Sequence, residues 1–206
     1  MHKADSDDKT MTARARRLAR RSGVFRMRDA VAAGVHPEVV RRLWKSGELR
    51  RTGRGLYELD GYDVTEHHSL VEAAGLVPRG VVCLLSALML HDLTTQFPHG
   101  VWMAIGQKAR TPKPNGVVLH VVRFSGPALT EGVESHAIEG TAVRVFSVAK
   151  TVADSFKFRN KIGLDVALEA LHEGWRARRF AMDELRRCAK VCRVANVIRP
   201  YVEGMF

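Results

Sequence analysis

The chain of 206 residues has little cysteine and no long hydrophobic run. Each shortage excludes something. Its three cysteines, Cys83, Cys188 and Cys192, are odd in number and lack the spacing of a disulfide framework, so reduced thiols and an intracellular setting are expected. The longest apolar stretch, Val81 to Leu90, is interrupted by Ser86 and falls well short of the roughly 20 residues that a membrane-spanning helix requires. Residues Met1 to Thr10 are polar with alternating charge and have no apolar segment of the secretory kind, which points to the cytoplasm. No internal repeat or low-complexity tract occurs.

Acidic residues are also scarce. Thirty-three Lys and Arg stand against 22 Asp and Glu, a net charge of +11, which favours an anionic partner such as nucleic acid or an acidic protein surface. The distribution is more telling than the total. Between Met11 and Tyr57 thirteen Lys or Arg face only three acids, Asp29, Glu38 and Glu48. The basic surface is N-terminal.

That segment carries the punctuation of a helix-turn-helix. Thr12 to Ser22 can form a helix with Met11, Ala15, Leu18 and Ala19 on one stripe. Val24 to Met27 reads as a short strand, and a second helix from Arg28 to Ala33 should stop at Gly34. His36-Pro37 then restarts the chain with proline in the first turn. In the third helix Val39, Val40, Leu43 and Trp44 cluster for packing, while Glu38, Arg41, Arg42 and Lys45 share the other face. Gly47 ends it, and Leu49 to Leu59 reads as two short strands around a glycine-flanked tip at Arg54. A helix in the major groove needs a donor-rich face, because Arg can bond guanine bidentately while Lys meets phosphates. A hairpin beside it can lay one Arg on the backbone and insert another into the minor groove. His36, Arg41, Arg42, Lys45, Arg51 and Arg54 are therefore the expected DNA-binding residues. Residues 11–60 are expected to be a winged helix-turn-helix on double-stranded DNA, and one small module touches few base pairs, so dimeric or cooperative binding to repeated half-sites follows. The other readings are a protein-docking winged helix and an ordinary solvated basic face.

A connection and a helix from Val64 to Leu76 come next, with the domain boundary near residues 60–65. The adjacent His67 and His68 diverge on a helix and have no further ligands nearby, so surface or packing roles outweigh a metal site. Residues 64–206 read as a second, mixed domain. An apolar helix from Val81 to Leu93 precedes two neighbouring strands, Val101 to Ile105 and Val117 to Val122, joined by a proline-containing loop. Val143 to Phe146 is a third strand, and Ser147 caps a helix reaching Phe158. Helices over Ile162 to Arg176, Met182 to Cys192 and Arg193 to Gly204 complete a helical C-terminal end, with Pro200 breaking or restarting the last. The fold class is α+β, with a small sheet in the second domain.

Several stretches resemble one family. They are Val82-Cys83-Leu84-Leu85-Ser86-Ala87-Leu88 with His91 and Leu93-Thr94-Thr95-Gln96, then Val121-Val122-Arg123-Phe124-Ser125, and above all Phe146 to Leu171. These are similar to the AbiEi-type antitoxins of bacterial type IV toxin-antitoxin systems, from about Ala13 to the C-terminus, with Val148 where proline commonly follows the serine. The resemblance implies an N-terminal domain that represses the operon of antitoxin and toxin from its own promoter. It also implies a C-terminal domain that neutralises a nucleotidyltransferase-like toxin, with or without a lasting complex.

Within the second domain Lys150, Asp154, Lys157, Arg159, Asn160 and Lys161 are candidates to face that partner. An enzymatic antitoxin that phosphorylates its toxin would draw on Lys150, Asp154 and Asp165, with ATP and magnesium as its only cofactors. Against it, Lys150 and Asp154 stand at i and i+4, the spacing of an ordinary surface ion pair, and no glycine-rich phosphate loop occurs. Ser147 and Lys150 also match S-x-x-K, but the partner motifs of the serine acyl-transfer enzymes are missing. A ligand-sensing transcription factor is the third reading. Arg176, Arg178, Arg179, Arg186, Arg187, Lys190 and Arg193 form a second basic collection suited to DNA phosphates, an acidic toxin or toxin-bound RNA, or simply to solvent. Cys188 and Cys192 read as small packing residues, not as metal ligands.

Overall fold

The computed structural model describes residues 2–53, 55–61, 65–112 and 116–205. The fold is α+β, and the chain divides into two compact units. The first comprises Met1–Pro78, Pro112–Val118 and His136–Val143; the second comprises Arg79–Thr111, Leu119–Ser135 and Arg144–Phe206.

The first unit opens with α1 (His2–Ser22), longer than the sequence reading gave, because no proline or glycine interrupts residues 2–22. There follow β1 (Phe25–Arg26), α2 (Met27–Ala32) and α3 (Pro37–Lys45), then β2 (Leu49–Gly53), β3 (Leu56–Leu59) and α4 (His68–Leu76). Gly34 ends α2 with φ +75°, a conformation open to glycine. Pro37 sits in the first turn of α3, as expected. The strands form an antiparallel sheet in the order β1-β3-β2, with Phe25 opposite Tyr57 and Leu49 opposite Leu59. Ala15, Leu18, Phe25, Val39, Val40 and Leu43 pack as its core.

Helix α4 was placed by sequence at the head of the second domain; the structure groups it with the first unit. Gly75 lies where a Cβ would come 3.0 Å from Leu56 and 3.6 Å from Val24, and the Arg26 guanidinium donates to the Gly75 carbonyl. His68 has a defined role in that packing. Its Nδ1 lies 2.8 Å from a Glu139 oxygen and its Nε2 3.2 Å from a Glu58 oxygen, and Glu58 also accepts from Arg50. His68 thus joins the strand β3, the helix α4 and the turn at residue 139. Burial by itself would raise the Glu139 carboxyl, but the hydrogen bonds from His68 and from the Thr65 amide and hydroxyl outweigh it and hold the group below the ordinary glutamate value. Its stabilisation is therefore present above that ordinary value and is lost as pH falls through the lowered one. Glu139→Gln should remove this part of the acid limb, read as a flatter dependence of thermal midpoint on pH in the acid range.

The second unit is built on β4 (Val81–Val82), α5 (Leu84–Leu90), β5 (Val101–Gly106), β6 (Leu119–Phe124) and α6 (Pro127–Thr130). It continues through β7 (Val133–Ile138) and β8 (Thr141–Phe146), of which residues 136–138 and 141–143 are counted with the first unit, and then α7 (Val148–Lys157) and α8 (Arg159–Ile162). The helices α9 (Leu164–Arg176), α10 (Met182–Cys192) and α11 (Ala195–Glu203) close it. Its sheet runs β6-β5-β4-β8-β7; β5 and β6 are parallel, β4 is antiparallel to β5 and parallel to β8. Sequence anticipated β5, β6 and β8 but read Val81 to Leu93 as one helix. Two β-branched residues instead complete the sheet between β5 and β8, and the helix starts only at Leu84. Likewise Gly163, at φ +101°, separates the short α8 from α9, so the helix expected from Ile162 begins at Leu164, and α11 continues through Pro200.

Helix α7 is the centre of this unit. Val148 to Phe156 are all buried, although that run includes Lys150, Thr151, Asp154 and Ser155. Such a helix is tolerated only when its polar groups find partners. Thr151 donates to the Phe146 carbonyl at 3.1 Å and Ser155 to the Thr151 carbonyl at 2.9 Å.

Candidate nucleic-acid interface

The His36 side chain caps α3, its Nδ1 accepting from the Glu38 amide at 3.3 Å. This cap supplies one of the partners that the first turn of a helix lacks. Val39, Val40 and Leu43 then hold the inner face of α3 in the core, which leaves Arg41, Arg42 and Lys45 exposed. The three are not equivalent. Arg41 pairs loosely with Glu38 at 3.2 Å, both side chains about 60% exposed. Arg42 donates to the Thr12 hydroxyl at 2.9 Å and so ties α3 to α1. Lys45 stands in the last turn, where a cation is favoured by the helix dipole.

Trp44 departs from expectation. It was read as a packing residue but is 41% exposed, and the Arg51 guanidinium of β2 lies 5.9 Å from its ring centre. Arg51 also donates to the Gly53 carbonyl at 3.1 Å. The indole therefore joins the cationic helix to the hairpin beside it. An exposed cation–π contact is worth about 0.5–1 kcal/mol, so Trp44→Ala should cost little stability in a melting curve. Arg51 would lose its support, and any nucleic-acid affinity should fall with it. Arg54 lies outside the described residues. Arg17 and Arg20 of α1 and Arg28 of α2 are also exposed and extend the basic surface beyond the residues that the helix-turn-helix pattern singles out.

The candidates of the second unit separate. Lys150 and Asp154 are 0% exposed, which corrects the reading of a surface pair and leaves neither able to face a partner. They form a direct ion pair. Lys150 Nζ also lies 4.0 Å from the Phe146 ring centre and 4.8 Å from that of Phe124, and Cys192 donates to the other Asp154 oxygen at 3.1 Å. Burial pushes the Asp154 carboxyl up, against the opposing pull of Lys150. It likewise raises the Cys188 thiol to about 11, consistent with an inert packing cysteine.

Asp165 is exposed in the first turn of α9, so the three residues of the enzymatic alternative do not share an open site. Lys157, Asn160 and Lys161 are exposed. Lys157 lies 5.6 Å from the ring centre of Phe124, and Lys161 5.2 Å from that of Trp102. Arg159 folds back onto the Phe156 carbonyl at 2.8 Å. Among the described residues no group of His, Cys, Asp and Glu is suited to a metal ion, and no helix is long and apolar enough to cross a membrane.

The chain is similar in fold to the crystal structure of the RV2827C protein from Mycobacterium tuberculosis. The TM-score is 0.58 at 16% identity, over 88% of this chain and 71% of that one. No protein of curated function matches the sequence significantly. Residues 13–59, running from α1 through β3, match the family described as transcriptional regulators of the AbiEi antitoxin kind, and that segment is of the AbiEi type which the sequence resembles.

Proposed function

We propose that the chain is an AbiEi-type antitoxin that works in the cytoplasm. Its first unit acts as a winged helix-turn-helix that binds double-stranded DNA at its own promoter, and its second unit counteracts a nucleotidyltransferase-like toxin. The family match supports the coarser role of antitoxin or regulator. The observation that carries the DNA reading is the exposed cationic face of α3 beside a hairpin whose Arg51 rests on Trp44. In this reading α3 enters the major groove, Arg41 leaves Glu38 for a base edge, and Lys45 and Arg51 meet phosphates. Arg42 positions the helix through Thr12. Repeated half-sites and cooperative binding compensate for the small footprint of one module.

The test is anisotropy of labelled DNA from immediately upstream of the coding region, titrated at two salt concentrations beside a scrambled control. The upstream fragment should bind more tightly, with an affinity that falls as salt rises because phosphate contacts release counterions. Equal and wholly salt-sensitive binding to both fragments would remove the promoter from the proposal. Growth rescue from co-expressed toxin tests the second unit.

A further inference from the structure

Between α10 and α11 the second unit has an open groove of about 260 Å³. Its floor is apolar, formed by Met182, Leu185, Ala189, Ile198 and Val202, and its rim carries Arg186, Lys190 and Arg199 against one acid, Glu203. Arg186 leans to Asp183 at 3.2 Å and Arg199 to Glu203 at 3.5 Å, all four side chains being more than two-thirds exposed. Such exposed pairs are weak and exchange readily for a better partner. Lys190 has no carboxylate within ion-pair distance among the described residues.

We propose that this groove docks an acidic amphipathic helix of a partner protein. The volume lies below the roughly 300–1,000 Å³ of pockets that enclose a small molecule, and suits a few aliphatic side chains from one face of a helix, spaced at i, i+3, i+4 and i+7. Three rim cations against one acid complement Asp and Glu flanking those side chains, and repel a basic helix. A second copy of this chain, with a net charge of +11, is a poorer occupant of a cationic rim than an acidic helix. That the docked helix belongs to the toxin rests on the antitoxin reading above.

The full chain is titrated with a labelled, acetylated peptide carrying leucine at i, i+3, i+4 and i+7 and glutamate elsewhere, beside the same peptide with lysine for glutamate. The glutamate peptide should bind about ten-fold more tightly or better. The double reversal K190E/R199E, at two exposed positions, should invert that preference while leaving the melting temperature unchanged. Equal binding of the two peptides, or an affinity unmoved by K190E/R199E, overturns the proposal. Self-association of the chain that the reversal abolishes also overturns it, giving the groove to a second copy.

In cells expressing the toxin, loss of rescue by K190E/R199E supports toxin docking. Retained rescue overturns the toxin assignment and leaves the antitoxin reading intact. Failure of the wild type to rescue removes that reading, and the peptide titration then decides the groove by itself.

Discussion

Lys150→Met is expected to destabilise the protein by about 3–5 kcal/mol, the cost of leaving one member of a buried ion pair without its partner. The orphan is Asp154, 0% exposed, with only the Cys192 thiol left to satisfy it. The aromatic rings of Phe124 and Phe146 that now face the ammonium offer a carboxylate nothing in return. Asp154 in the folded protein already sits above the ordinary aspartate value, and losing Lys150 raises it further. The folded variant therefore binds more protons than the unfolded chain between the two values, so its deficit should be full above the raised value. It should shrink as pH falls toward the ordinary one. Urea unfolding at neutral and mildly acid pH reads this directly. The double variant Lys150→Met, Asp154→Leu should recover most of the loss, because an apolar pair of similar volume avoids the desolvation of both charges. A single variant as stable as wild type would show that water reaches Asp154.

Arg41→Ala should cost about 1–3 kcal/mol of discrimination between the promoter fragment and scrambled DNA, with the larger loss on the promoter. Lys45→Ala should weaken both DNAs alike. The contrast follows from position. Arg41 lies midway along the exposed face of α3 with only Glu38 to leave, whereas Lys45 sits in the last turn near the start of the hairpin. Fluorescence anisotropy on both fragments separates the two roles. Equal losses on both DNAs for both variants would show that α3 does not read bases.

Local signals were legible where a single residue type does a local job. Gly34, Pro37 and Ser147 announced the ends of α2, α3 and α7, and all three stand where the pattern put them. Long-range packing was not. Val81 and Val82 continue an apolar run in sequence, and only their neighbours on β5 and β8 make them a strand. The i, i+4 spacing of Lys150 and Asp154 is the same on a surface helix as on a buried one, and their burial comes from residues distant in the chain, Phe124 against Lys150 and Cys192 against Asp154. Trp44 matched the apolar stripe of α3 by periodicity, yet Arg51, seven residues on, supplies the contact that holds it outside. The α10–α11 groove needed both helices in place before its rim charges could be seen to face one floor.

The interleaving of the first unit bears on the order in which the protein can be made. Residues 112–118 and 136–143 belong to it, so a ribosome must translate residues 79–111 and 119–135 of the second unit before the first is complete. Until then Thr65 and His68 lack Glu139, and Ser22 lacks the Thr141 hydroxyl that donates to its carbonyl. A gene fragment ending at residue 60 or 78 encodes the family-matched segment without these ties. The first unit is therefore not a cassette that recombination can move by one cut, and the nascent chain can complete it only after Val143 has emerged.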